Sequence, residues 1–273
     1  MHVASTLMVL STLLTGAGLA TPLAASASAA APSAAQPGKR VAGPTVVQVT
    51  TEDKLVLTGD FYLPRSTKEA APGVLLIHDA GGSRVDLVPF AERLQKTGFA
   101  VLVLDLRGHG ASRGDAKPWA ELDEPERKRL WAFALRDLKA GADFLREQAT
   151  VHSSNLSLLG DRAGCTLVAR HAVRDENVRD IVLLAPVSEQ LGFDLQQDLE
   201  DLGGLPTFIA TSKGAKEGAD RLAASAREAN GGLDFVSVSA FKGELIPPIS
   251  DKRLPAHVAA WMKDQAVPKK GGR

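Results

Sequence analysis

The densest chemical signal in the chain is Gly160-Asp161-Arg162-Ala163-Gly164, which joins an apolar run, Leu156 to Leu159, to a small-residue segment with helical spacing ending at Arg170. That is strand, sharp turn, helix. Glycines on both sides of such a turn remove the Cβ atoms that would collide where the helix crosses neighbouring strands. The turn can then hold one side chain out at its tip, the arrangement a catalytic nucleophile needs. Here the tip residue is Arg162. A guanidinium stays protonated at any working pH and has no lone pair to offer, so it cannot attack a carbonyl; it can hold a carboxylate or a phosphate.

Other reactive side chains are weaker candidates. Gly110-Ala111-Ser112-Arg113-Gly114 spells G-x-S-x-G, but a polar loop with Lys117-Pro118 follows where a helix must begin. Cys165, the single cysteine, falls three residues past the tip and reads as a small buried hydrophobe. His78 and His109 each follow a buried aliphatic run; neither spacing makes a metal site, and both read as loop histidines bracing backbone carbonyls. No metal and no cofactor is expected.

The elements that must position these residues follow from periodicity. Val46 to Thr51 and Leu55 to Tyr62 alternate apolar and polar about Glu52-Asp53-Lys54, an edge hairpin. Gly73 to His78 and Phe99 to Leu106 are continuous aliphatic runs, the pattern of strands buried on both faces. Leu87, Val88, Phe90, Ala91 and Leu94 recur at helical spacing with Gly98 at the C-terminal cap. Trp131, Leu135, Leu138, Ala142 and Leu145 line one face of a long helix, with Arg136, Asp137 and Arg146 off that face. Further strands are expected at Ile181 to Ala185, Thr207 to Thr211 and Leu233 to Val238, and helices at Ala219 to Ala229 and Leu254 to Met262. Strands alternating with helices give a mostly parallel α/β sheet with helices on both faces. The short stretch between the Ile181 and Thr207 strands leaves no room for a lid domain.

With HDAGGSR after the first buried strand, FAVLVLDLRGHGAS over the second, and the elbow glycines, the chain resembles the α/β-hydrolase superfamily, and within it the dienelactone-hydrolase-like and serine-aminopeptidase-like esterases. The likeness covers Val46 to Gln265. It implies a sheet of eight strands, a triad in chain order Ser, Asp, His, and an oxyanion hole of two backbone N–H groups, here those of Ala80 and Ala163. Carried over position by position, the nucleophile is Arg162. The acid position falls at Gly214 and Ala215 within Ser212-Lys213-Gly214-Ala215, with no carboxylate before Glu217, and the histidine position is Lys242 in Ala240-Phe241-Lys242-Gly243. Losing the serine or histidine of a comparable triad costs roughly a factor of 10⁶ in turnover, about 8 kcal/mol of barrier.

The expectation is therefore a non-catalytic pseudo-hydrolase. Arg162, Lys213, Lys242 and the N–H groups of Ala80 and Ala163 would hold a small anionic molecule, or the same face would take a protein partner. Two alternatives stay open: a working hydrolase acting through other residues, and a structural role in which Arg162 pairs with Asp79, Asp105 or Asp161.

Lysine plus arginine balance aspartate plus glutamate at 32 each over 273 residues, which argues against a nucleic-acid surface. Val3 to Ala20 is apolar and uncharged, and small-x-small triplets follow at Ala25-Ser26-Ala27 and Ala27-Ser28-Ala29. This predicts a signal peptide over 1–29, an Ala/Ser/Pro-rich linker over 30–44, one folded domain over 45–266 and a basic tail over 267–273. Ser5, Ser11, Thr12 and Thr15 dilute the apolar run against a permanent span, so the expected location is secreted or periplasmic, without stable membrane insertion after cleavage.

Overall fold

The computed structural model describes residues 43–64, 69–242 and 251–266, so the expected leader, all but the end of the linker, and the basic tail lie outside the described residues. Strands β1 (Thr45–Thr50) and β2 (Val56–Tyr62) form the antiparallel edge hairpin, with Thr45 opposite Phe61 and Thr50 opposite Val56. Lys54 turns the corner at φ 67°. β2 then runs antiparallel to β4 (Ala100–Leu104). Beyond it every pairing is parallel, through β3 (Ala71–Ile77), β5 (Val151–Asp161), β6 (Val178–Leu184), β9 (Thr207–Ser212) and β10 (Val236–Phe241). The eight strands lie in the order β1-β2-β4-β3-β5-β6-β9-β10. The step from β3 past β4 and back to β5 puts the two central strands side by side, so their carboxyl ends open onto one crevice.

Two layers of helices cover the sheet, as the doubly buried strands require. On one face α1 (Val88–Thr97) and α7 (Leu254–Ala266) bury Phe90, Leu94, Val258 and Met262 against Val101, Val103 and Leu184. On the other, α2 (Glu124–Phe133), α3 (Leu135–Glu147), α4 (Gly164–Ala172), α5 (Leu195–Glu200) and α6 (Lys216–Ala229) close over Leu75, Leu102 and Leu158 with Trp131, Leu138, Leu167 and Leu222. Between β6 and β9 only the two-residue strands β7 (Glu189–Gln190) and β8 (Phe193–Asp194) and the short α5 intervene. No helix of the described residues is long and apolar enough to cross a membrane.

Three local readings differ from expectation. The single long helix is two, because at Ala134 the turn tightens: its N–H is shared between the carbonyls of Leu130 and Trp131, with ψ at −13°. Asp137 is not on the outer face but fully buried, drawn in by Arg107, whose backbone N–H and Nε both donate to it at 2.8 Å. The last strand starts three residues later than the apolar run suggests. Gly231 and Gly232, both at positive φ, turn the chain first, and Leu233 is left 57% exposed while Val236 takes the place opposite Thr207.

Candidate functional site

The elbow is built as its glycines imply. A Cβ on Gly160 would stand 2.6 Å from the carbonyl oxygen of Gly164, and one on Gly164 would stand 2.7 Å from that of His78 and 2.8 Å from that of Ile77. Backbone cannot yield there as a side-chain end can, so the start of α4 folds back on β5 only because Gly160 lacks a Cβ, and lies against the end of β3 only because Gly164 does. Gly164→Ala is expected to cost about 1–3 kcal/mol, read as a lowered denaturant midpoint at unchanged slope.

At the tip Arg162 sits at φ 45°, in the left-handed region, a conformation costing of order 1–3 kcal/mol that the surrounding structure must hold. Its N–H donates to the carbonyl of Leu184 at 2.9 Å, tying the tip to β6. The side chain does not stand free. Its Nε donates to Asp79 Oδ2 at 2.7 Å, and the N–H of Ala163 donates to Asp79 Oδ1 at 3.0 Å. One carboxylate, from the turn after β3, thus occupies both the guanidinium and the amide that the resemblance alone would give to an oxyanion hole. Arg162 and Asp79 keep 24% and 21% of their side chains exposed.

Beneath this pair lies Asp161, 1% exposed, with Oδ2 3.2 Å from Arg162 Nη2. Burial pushes its carboxyl up to about 7; Arg162 pulls it down, while Asp79 and Asp86 repel the charged form further. Asp161 Oδ1 and Arg162 Nη1 are both buried without a hydrogen-bond partner among the described residues.

Of the other expected site residues, Ala80 follows Asp79 in the turn and is half-buried. Gly214 and Ala215 are exposed in the turn into α6, and Glu217 beyond them pairs with Arg221 on the outer surface of that helix. Lys213 and Lys242 are exposed just past β9 and β10, whose register sets Phe241 opposite Ser212 and so brings the two lysines to neighbouring strand ends. Neither forms an ion pair with a described residue, and no hydrogen bond joins either to Arg162. The structure therefore brings Arg162, Ala163, Asp79 and Asp161 together and leaves the two lysines at the rim.

The remaining candidates are occupied by the scaffold. His78 is fully buried, its Nδ1 2.7 Å from the carbonyl of Asp79 while Leu106 N–H donates to Nε2 at 3.1 Å. Burial drives its pKa down to about 4, with His109 adding to the effect. His109 accepts from Gly81 N–H at 3.0 Å, sits 2.9 Å from the carbonyl of Arg107 and packs against Trp119, and burial lowers its pKa too. Both histidines thus stitch the turn after β3 to the loop after β4. Ser112 accepts from Thr58 N–H at 2.8 Å and donates to the carbonyl of Asp105 at 2.7 Å, so its hydroxyl is fully engaged away from the elbow. Cys165 is completely buried, its Sγ facing the carbonyl of Gly160 at 3.2 Å, and burial raises its thiol well above the usual range. Among the described residues no group of three or more His, Cys, Asp or Glu could hold a metal ion.

Sequence reasoning named Asp79 as one possible partner of Arg162, but not its second hold on the Ala163 amide. It also missed the burial of Asp161. The signal for the first was in the chain: a carboxylate one residue before Ala80, in the turn that must face the elbow.

Comparison with known proteins agrees with this architecture. The family model described as serine aminopeptidase, S33, matches residues 68–200. A thiohydrolase, aneE, of Aspergillus aculeatus is 30% identical over 145 residues, 52% of this chain and 42% of that protein. The quorum-quenching protein AidA of Acinetobacter baumannii is 28% identical over 130 residues, 47% of this chain and 40% of that protein. The chain thus spans about two fifths of the length of these curated relatives. Among solved structures, the Pyrococcus furiosus esterase Pf2001 superposes with a TM-score of 0.62 at 17% identity over 82% of this chain and 91% of that one. The carboxylesterase EstE1 from a metagenomic library gives 0.63 at 16% over 84% and 91%. The strand order is that of the α/β-hydrolase fold, and the family match over β3 to α5 supports placing the chain in the α/β-hydrolase superfamily.

Proposed function

We propose that this protein is a non-catalytic member of its superfamily, exported from the cytoplasm, that binds a small carboxylate- or phosphate-bearing molecule at the former nucleophile elbow. The observation that carries the reading is the seat of Asp79. A carboxylate rests on the Ala163 amide and the Arg162 guanidinium at 3.0 and 2.7 Å, so the elbow is complementary to an anion in both charge and spacing. The same seat weighs against ester chemistry. The tip offers no lone pair, an amide of the oxyanion hole faces a negative charge, and the acid and histidine positions carry Gly214, Ala215 and Lys242. Export is supported by the uncharged apolar run from Val3 to Ala20.

Two measurements test the reading. Purified protein is expected to take no covalent label from a fluorophosphonate and to hydrolyse p-nitrophenyl acetate on the order of 10⁶-fold more slowly than an intact triad enzyme. Turnover near 1 s⁻¹ or above, persisting in Ser112→Ala and in Cys165→Ala, would show a working hydrolase instead. Calorimetric titration with inorganic phosphate is expected to give binding that Arg162→Ala removes.

A further inference from the structure

Resting on the reading of the elbow as an anion site, we propose that Asp79 is its built-in competitor, a carboxylate of the fold's own that an incoming anion must displace before it can bind.

The geometry is that of a ligand in a site. Its two oxygens are shared between consecutive residues, Oδ2 taking the Arg162 Nε and Oδ1 the Ala163 N–H, 2.7 and 3.0 Å away. Asp79 comes from another element, 83 residues earlier in the chain, so nothing local obliges it to be there. A carboxylate delivered by a ligand could meet the same two donors with the same two atoms. The pair is also not sealed. With about a fifth to a quarter of each side chain exposed, Asp79 has solvent to turn into when displaced.

The site has capacity beyond what Asp79 uses. Asp79 brings one negative charge to the seat, whereas a phosphate or phosphonate can bring up to two. Lys213 and Lys242, exposed at neighbouring strand ends and free of ion pairs among the described residues, add positive potential on the same edge of the sheet. The expected preference is therefore for phosphate and phosphonate over acetate.

A tethered carboxylate competes at an effective concentration in the millimolar range or higher, so external anions must be present at comparable levels to win. Removing its charge removes the competitor. Asparagine is the sharper probe, because an amide NH₂ in place of Oδ2 would face the Arg162 Nε donor to donor and cannot hold the seat.

The test is titration of the wild type, Asp79→Asn and Asp79→Ser with inorganic phosphate, phenylphosphonate and acetate by calorimetry, each variant first shown to unfold in a single cooperative transition. Asp79→Ser serves if asparagine does not fold. The expected result is a Kd for phosphate and phenylphosphonate at least about tenfold lower in the variants than in the wild type, with acetate gaining less. Equal, measurable affinity in wild type and variants overturns the inference and leaves the anion site standing. No binding of any probe by any of the three proteins overturns both.

Discussion

Replacing Arg107 by alanine is expected to remove about 3–5 kcal/mol of stability, the range for stranding a buried charge. Asp137 is the charge left behind. It is completely buried on α3, and its carboxylate receives Arg107 three times: from the backbone N–H and Nε at 2.8 Å and from Nη2 at 2.7 Å. The other side of the guanidinium reaches Asp53 in the β1–β2 turn at 2.9 and 3.1 Å, holding the Asp53 carboxyl far below the usual carboxylate range. With Arg107 gone, Asp137 keeps one backbone donor in an environment that already pushes its pKa up through burial. The effect should reach the functional edge, because the same loop presents the Arg107 carbonyl to His109, and His109 in turn holds Gly81, two residues from Asp79. Urea unfolding of the wild type, Arg107→Ala and the double replacement Arg107→Met/Asp137→Leu measures it. The double variant should recover most of the loss, since a well-packed apolar pair has no charge to strand. A loss below about 1 kcal/mol in Arg107→Ala, the size found for exposed pairs, would show that the network is bystander chemistry.

Much of this architecture was legible because burial on both faces leaves a plain mark. Gly73 to Ile77 and Phe99 to Leu104 read as strands since nothing polar interrupts them, and Gly160 and Gly164 read as an elbow since a close crossing tolerates no Cβ. The edge hairpin was equally clear from its alternation. What stayed hidden depends on pairing between distant segments. Asp137 looks like an outer-face residue in any helical projection, and only the arrival of Arg107 from the loop after β4 makes its burial sensible. The shift of the last strand had a local cause that composition understates: two consecutive glycines at positive φ, so that Leu233 continues the turn and the strand waits for Val236. At the elbow, the sequence supplied every charge but not the partition among them. Arg162 had three carboxylates within plausible reach, and the fold gives it Asp79 and Asp161 while Asp105 is taken by Arg84 and the amide of Ala111.

The partition has a measurable signature in Asp161. Its carboxyl titrates at about 7 in the folded protein against an ordinary value of 3.8, because burial at the end of β5 outweighs the attraction of Arg162. Between those values the folded state binds a proton that the unfolded state has released, so stability falls as pH rises through the window and levels off above about 7. The full difference corresponds to about 4 kcal/mol at pH 8. Asparagine imitates the protonated acid in shape and can still accept from Arg162 Nη2, so Asp161→Asn should match the wild type near pH 4 and exceed it increasingly toward pH 8. The comparison must be made as a difference. His78, with its folded pKa lowered to about 4 from 6.5, contributes in the opposite sense, its stabilisation rising with pH over much of the same range, and only subtraction cancels it. Thermal and urea unfolding of both proteins at half-unit pH steps supply the curves. A difference that stays constant from pH 4 to pH 8 would mean that Asp161 is ionised throughout. Arg162 would then face two full carboxylates at every pH, and an anion displacing Asp79 would meet the undiminished charge of Asp161 even in mild acid.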